Sequence, residues 1–286
     1  MSSFPSALHI GPVCFRFLQQ EVIVYSAWAY RDFWKPVDSV YRPTTTLPVE
    51  LYAGAIDVPD REPDYAAGDH WYFYDRLDKG LLFVYRPTSL GERTFCQVDR
   101  DLSACRLYVE GDISDAPLRY PLDQILTWGM LGKCGGVLLH AAGVEHDGVG
   151  YVLAGRSGAG KSTLSGFCHE AGWDILNDDR VIVHPDPVTG QWFLSGTPWH
   201  GTGRFAKNRT VPLGGVYLLQ QDKENIAEEI ALQEARYALM DVAGIAWFEE
   251  VWSQQALDAI ARLTQEVPVR RLRFTRSADA VEALKG

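Results

Sequence analysis

The run GRSGAGKST sets Gly155, Arg156, Ser157, Gly158, Ala159, Gly160, Lys161, Ser162 and Thr163 in a row, and four of them fit the spacing G-x-x-x-x-G-K-[ST]. These residue types suit phosphate binding. The glycines let a loop curl until successive backbone N–H groups converge on phosphate oxygens, and a helix beginning at Lys161 adds the partial positive charge of its N-terminus. Lys161 then reaches the β and γ phosphates of ATP, and the Ser162 hydroxyl ligates Mg²⁺. A chain of this composition matches the pattern by chance only about 0.005 times, so a glycine turn that binds nothing is the weaker reading.

Nucleotide binding alone leaves a switch GTPase, a mechanical ATPase and a kinase open. The segment WDILNDDRVIV discriminates among them, because it puts Asp178 and Asp179 seventeen and eighteen residues after Lys161, just past a single helix. Adjacent carboxylates in an extended strand point to opposite sides, so one can serve a metal while the other serves an incoming hydroxyl. In isolation such a pair is more often a turn or a cap, but beside the glycine loop the functional reading prevails. No guanine-reading N-K-x-D occurs, and the chain is too short for a typical motor. His140 stands 21 residues before Lys161, at a strand end where a structural histidine is an equally good reading.

Taken together, these residues resemble the catalytic domain of the HPr kinase/phosphorylase family. Its pattern is a histidine and a small residue, a short hairpin, G-x-S-G-x-G-K-S, a helix, and A-D-D before a strand. Here His140, Gly155 to Ser162 and the stretch NDDR meet that order without a gap, over roughly residues 121 to 220. The resemblance implies an ATP- and Mg²⁺-dependent kinase acting on a serine or threonine hydroxyl of a protein or peptide acceptor; a small-molecule kinase, or an ATP-binding regulator or assembly factor that transfers nothing, is the alternative. Residues 155 to 163 would bind the nucleotide, and Asp178 would take the acceptor's hydroxyl proton. Ser162 and Asp179 would hold the metal, and His140 would assist at the acceptor side. Two departures stand out: Thr163 replaces a glutamate, and LSGTPWHGTGRFAKN occupies the place of a later segment with a metal-linked glutamate and R-G-L-G. Within that stretch Gly196, Gly201 and Gly203 weaken regular structure, while Trp199, His200, Arg204 and Lys207 offer an aromatic surface and cations. The expectation is a partly mobile, acceptor-facing segment whose Arg204 meets the γ-phosphoryl oxygens on closure. A surface loop anchored by Trp199 in the core is the alternative.

The elements that must position these groups follow from periodicity. PLDQILTWGMLGKC reads as a helix started by Pro121 and stopped by Gly135 and Gly136. Then come a strand VLLHAAGVEH, a turn at Asp147 and Gly148, a strand GYVLA, the loop, and a helix from Lys161 to Glu170 ended by Gly172. DRVIV and QWFLSG read as a hairpin, GGVYLLQ as a strand, Ala231 to Asp241 as a helix, followed by a closing helix, strand and helix. The basic run VRRLRFTRS reads as that strand with long solvated side chains, a phosphate-contacting role being its alternative. Before residue 115 the short aromatic runs VCFRFL, EVIVYSA, HWYFYDRL, GLLFVYRP, RTFCQVD and CRLYVE read as antiparallel strands, without a catalytic constellation. The expected fold is therefore α/β: a P-loop kinase domain with a mixed sheet over residues 116–286, preceded by an antiparallel β-rich domain over 1–115.

Composition bounds the rest. The 286 residues suffice for a full core, and 47% hydrophobic with 22% charged content argues against disorder. A formal net charge of −10 makes nucleic acid a poor partner. No apolar run long enough for a membrane span and no signal-peptide pattern are seen, and five cysteines without a CxxC pair fit reduced thiols, so a cytoplasmic enzyme is expected. Homo-oligomerisation stays open.

Overall fold

The computed structural model describes residues 6–18, 28–36, 43–86, 93–111, 118 and 120–284. The expected strand EVIVYSA lies outside the described residues. Contacts divide the chain into two compact units, one of residues 1–9, 13–130 and 246–250, the other of 10–12, 131–245 and 251–286. The division falls inside a helix, α1 (Leu122–Cys134), and not near residue 115. The change of period in the sequence marks where this helix begins.

Among the described residues the first unit is built on a sheet of nine strands: β1 (Ser6–Ile10), β2 (Val13–Phe17), β3 (Trp34–Pro36), β4 (Thr45–Ala53), β5 (Tyr65–Ala67), β6 (Trp71–Asp75), β7 (Leu81–Tyr85), β8 (Thr94–Val98) and β9 (Cys105–Val109). Their order is β3-β1-β2-β4-β9-β8-β7-β6-β5. The last five form the expected antiparallel meander, but β4 runs parallel to both β2 and β9, so the sheet is mixed. Apolar alternation fixes which face of a strand is buried and is blind to its direction. In β4 the buried Leu47, Val49 and Leu51 alternate with less buried neighbours. Phe248 packs among Tyr65, Trp71, Phe73 and Phe83, with ring centroids 4.8 to 6.0 Å apart.

The second unit carries the chemistry. Its strands are β10 (Val137–Leu139), β11 (Ala141–His146), β12 (Val149–Ala154), β13 (Asp174–Asn177), β14 (Val181–Pro185), β15 (Trp192–Gly196), β16 (Thr210–Gln221), β17 (Ile226–Glu229) and β18 (Val269–Phe274), with helices α2 (Lys161–Glu170), α3 (Leu232–Met240) and α4 (Glu250–Glu266). The sheet order is β10-β14-β15-β16-β12-β11-β13, and β18 adds to β16. Side chains of the central strands alternate between two cores. Ala141, Val152, Ala154 and Val216 meet Leu239 of α3 and Ala256, Ala259, Ile260 and Leu263 of α4. Ala142, Val144, Leu153, Tyr217 and Leu219 meet Leu164 and Cys168 of α2 and the C-terminal turn with Ala280, Val281 and Leu284. Helices on both faces explain why these strands are apolar throughout.

β12, β16 and β18 run parallel, so their carboxyl ends gather on one edge, where open α/β sheets bind ligands. The five cysteines are buried and none forms a disulfide. No helix among the described residues is long and apolar enough to cross a membrane.

Two glycines test this packing in opposite directions. A Cβ on Gly196 of β15 would lie 2.1 Å from the Lys207 carbonyl oxygen and 2.9 Å from that of Leu176, both backbone atoms, whereas one on Gly166 of α2 meets nothing within 4 Å. Gly196→Ala is expected to lower stability by about 2 kcal/mol or more. Gly166→Ala is expected to raise it by up to about 1 kcal/mol, as a helix interior gains from alanine. Urea denaturation of the two variants checks both signs.

Candidate functional site

The glycine loop leaves the end of β12 and enters α2 at Lys161, as the pattern requires. Gly158 has φ +82° and Gly160 φ +105°, a region closed to most side chains. A Cβ on Gly160 would lie 2.6 Å from Cζ of Phe274, so the last residue of β18 occupies the space that this glycine leaves. Gln221, at the end of β16, donates from Nε2 to the Gly158 carbonyl at 2.8 Å. The loop is thus held by all three parallel strand ends.

Lys161 is buried, and its Nζ donates to the carbonyls of Gly155 at 2.7 Å and Arg156 at 3.4 Å. Burial lowers its pKa from the usual lysine value, and the charge of Asp179 partly opposes this. Arg156 points away and pairs with Asp241 at 2.7 Å.

Asp178 and Asp179 lie in a bend between β13 and β14, and not within an extended strand as the sequence suggests. What makes the bend is Asn177, fully buried, whose Oδ1 accepts the N–H groups of Asp179 at 2.7 Å and Arg180 at 2.8 Å. Its Nδ2 donates to the Thr197 carbonyl at 2.8 Å, and the Thr197 hydroxyl donates to the Arg180 carbonyl at 2.7 Å. A short polar side chain satisfying its own backbone is the usual origin of such a bend, and here it outcompetes the strand.

Asp178 is buried. Its Oδ1 accepts N–H groups from Gly201 at 2.9 Å and Phe205 at 3.3 Å, and its Oδ2 accepts that of Gly203 at 2.6 Å. Gly201 and Gly203 are required, since a Cβ on either would come within 2.9 Å of Asp178 Oδ2. Asp179, half-buried, pairs with Arg180 and with Nδ1 of His140, the latter at 3.3 Å. Burial lowers the His140 pKa, the charges of Lys161 and Arg180 lower it further, and Asp179 pulls the other way, so the ring is neutral at pH 7. His140 sits where β10 gives way to β11, so the expected continuous strand is broken at this residue.

His140, Ser157, Gly158, Gly160, Lys161, Ser162, Thr163, Asp178 and Asp179 all line one cleft of about 440 Å³. Most of the expected constellation is thus brought together; of the expected residues Gly155, Arg156, Ala159 and Arg204 are not among those that line the cleft. The Arg204 backbone is at φ +60° in the turn held by Asp178. Lys207 is also engaged elsewhere, donating to Asp174 at 2.6 Å beside Arg209. Trp199 is buried, so the stretch expected to be mobile is anchored along its length. In this structure neither cation lines the cleft, because a loop's sequence does not show which way its backbone turns.

Sequence reasoning missed Thr202, which lines the cleft, and the framing pair Asn177 and Thr197; Arg276, which also lines it, lies in the basic run whose phosphate-contacting role was the alternative reading. Asn177 adjoins the two aspartates, and a buried polar residue before DD was a usable signal. A different histidine–hydroxyl contact, His184 Nε2 to Ser195 Oγ at 3.1 Å, is enclosed in the sheet, with burial pushing the imidazole down to about 4. It is a neutral structural hydrogen bond.

The fold and cleft define an α/β protein in which a glycine loop faces paired carboxylates. The family described as SynChlorMet cassette protein ScmC matches over residues 125–282, more than half of the chain, and the chain belongs to that family. This is a different family from the one that the motifs resemble. Among solved structures the chain is similar to the HPr(Ser) kinase/phosphatase from Coxiella burnetii at 14% identity, over 52% of this chain and 93% of that one. The TM-score of 0.27 is too low for that likeness to support a conclusion on fold or activity. No curated protein matches.

Because Asp178 holds three amides, Asp178→Asn is not a shape-neutral change: an amide has one acceptor oxygen and sets an NH₂ against a backbone N–H. The amides of Gly201, Gly203 and Phe205 are expected to exchange with deuterium at least about tenfold faster in the variant, each carboxylate bond contributing about 1.5 to 3 kcal/mol. Unchanged protection at all three would contradict the anchoring.

Proposed function

We propose that the cleft binds ATP with Mg²⁺ and that the protein transfers the γ-phosphoryl group to a serine or threonine hydroxyl of a protein or peptide. The observation that carries this reading is the convergence of Lys161, Ser162, Asp178 and Asp179 on one cleft at the carboxyl ends of parallel strands. The cleft suits a polyphosphate. The glycine backbone there is open, a helix begins at its edge, and Lys161 uses only two of its three N–H donors on loop carbonyls. Among the described residues no group of three or more His, Cys, Asp and Glu could hold a metal. That suits Mg²⁺, which takes one or two carboxylates and completes its shell with water and phosphate oxygens.

In this reading Ser162 and Asp179 hold the metal, whose charge offsets that of the phosphates. Lys161 and the loop amides fix the chain of phosphates in line with the acceptor. Asp178 Oδ2, which accepts a single backbone N–H, keeps a lone pair for the acceptor's proton. As that proton leaves, the acceptor oxygen bonds to the γ-phosphorus, the bond to the bridging oxygen breaks, and ADP departs. Neutral His140 orients Asp179.

A second reading has a specific observation behind it. Three amides on the Asp178 carboxylate, with Thr163 in place of the glutamate of the kinases that the motifs resemble, suit a regulator that binds ATP without transferring phosphate. The family's description as a cassette protein directs the search for the acceptor to products of the same gene cassette.

The test uses γ-labelled ATP, Mg²⁺ and the cassette-encoded proteins. Label is expected on a serine or threonine of one of them with the parent protein, and on none with Lys161→Ala. ATP is expected to raise the melting temperature of the parent and not of that variant, which lacks the ammonium facing the phosphates. Stabilisation by ATP without label on any of them favours the regulator, and the absence of both sinks both readings.

A further inference from the structure

The C-terminal run Val269 to Ser277 carries four arginines with unequal surroundings. Arg271 pairs with Glu234, and Arg273 pairs with Asp222, Glu224 and Glu228. Arg276, by contrast, has no ion pair among the described residues and lines the same cleft as Lys161. An arginine left unmatched in a chain of net charge −10, where neighbouring arginines of the run are matched, sits at a place where its charge has another use.

The backbone explains why it stands there. β18 runs parallel to β16, which runs parallel to β12, so β18 ends beside the glycine loop. The Phe274 ring fills the space above Gly160 and sets the register between strand end and loop. Thr275, next in the chain, donates its N–H at 2.7 Å and its hydroxyl at 3.1 Å to Oδ1 of Asn225, and its hydroxyl contacts that of Ser277 at 2.8 Å. The turn is therefore pinned on both sides of Arg276. Behind it, Ala280, Val281 and Leu284 are buried against α2 and the sheet. Arg276 projects from a fixed base, so little backbone entropy is lost when its guanidinium meets a ligand.

We propose that Arg276 is a second cation for the bound polyphosphate, gripping phosphate oxygens from the wall formed by the end of β18. The proposal rests on the reading that the cleft binds nucleotide, and it adds a residue 115 positions beyond the lysine of the loop. The chemistry fits an arginine. Its planar guanidinium stays charged at all working pH values and presents paired N–H donors to two phosphate oxygens, whereas Lys161 supplies a compact charge at one point. It also adds positive charge to a cleft in which Asp179 is already paired with Arg180, so that the charge of Arg276 is available to the phosphates.

The test measures dissociation constants by calorimetry on the whole chain, with Mg²⁺-ATP and with Mg²⁺-pyrophosphate as the nucleoside-free ligand. Melting without ligand is followed in parallel. Arg276→Ala is expected to weaken both ligands by about 10- to 100-fold while leaving the ligand-free melting temperature unchanged, and Arg276→Lys is expected to recover part of the loss. Arg271→Ala, the control from the same strand, is expected to bind both ligands as the parent does. Parent-like affinity of Arg276→Ala for both ligands overturns the inference and leaves the nucleotide reading standing. A loss confined to ATP also overturns it, because the contact is then to the nucleoside. If the parent itself binds neither ligand, the nucleotide reading falls and the inference falls with it.

Discussion

The Asp178 carboxylate, accepting N–H groups from Gly201, Gly203 and Phe205, is the contact on which the rest of the site depends. Ordering the five residues from Gly201 to Phe205 costs roughly 5 to 10 kcal/mol in backbone entropy, at about 1 to 2 kcal/mol per residue. Three hydrogen bonds to a charged group, at about 1.5 to 3 kcal/mol each, offset about 4.5 to 9 kcal/mol of it. The two sums nearly cancel, so the reach of this one side chain accounts for much of the segment's order. Its other supports are the fit of two glycines against that side chain and the pairing of Lys207 with Asp174. Asn177 sets this up by bending the chain so that Asp178 faces the segment and Asp179 faces Lys161.

Charge in the cleft follows from the same arrangement. Asp179 works against the desolvation of both Lys161 and His140, which without it would favour their neutral forms more strongly. The imidazole, starting from a low ordinary value, is left neutral, while the ammonium starts several units higher. One carboxylate thus supports one charged and one uncharged neighbour.

Much of this was legible in the chain because it is local. The loop and the limits of α2, Lys161 to Glu170, follow from glycine spacing and an amphipathic run, and the structure reproduces both. The hairpin of β14 and β15 and the strand over the basic run are likewise as read, because turn residues and alternation act over a few positions. The failures are long-range or concern orientation. The direction of β4 is set by connections on either side of it, not by its own alternation. The choice between Arg204 and Arg276 turns on backbone direction in one loop and on strand order in the sheet, neither of which a basic residue announces. Asp178 and Asp179 were read as strand residues because DRVIV looks extended, and the side chain of Asn177 overrides that preference with two hydrogen bonds.

The central claim is that the cleft framed by the glycine loop and the bent aspartate pair holds a nucleotide triphosphate. A crystal structure of the protein with Mg²⁺ and a non-hydrolysable ATP analogue tests it most directly. The account requires β and γ phosphate oxygens about 3 Å from backbone nitrogens of the loop and from Lys161 Nζ, with the metal beside Ser162 and Asp179. An analogue bound at saturating concentration outside this cleft, or a cleft left empty under those conditions, would contradict it.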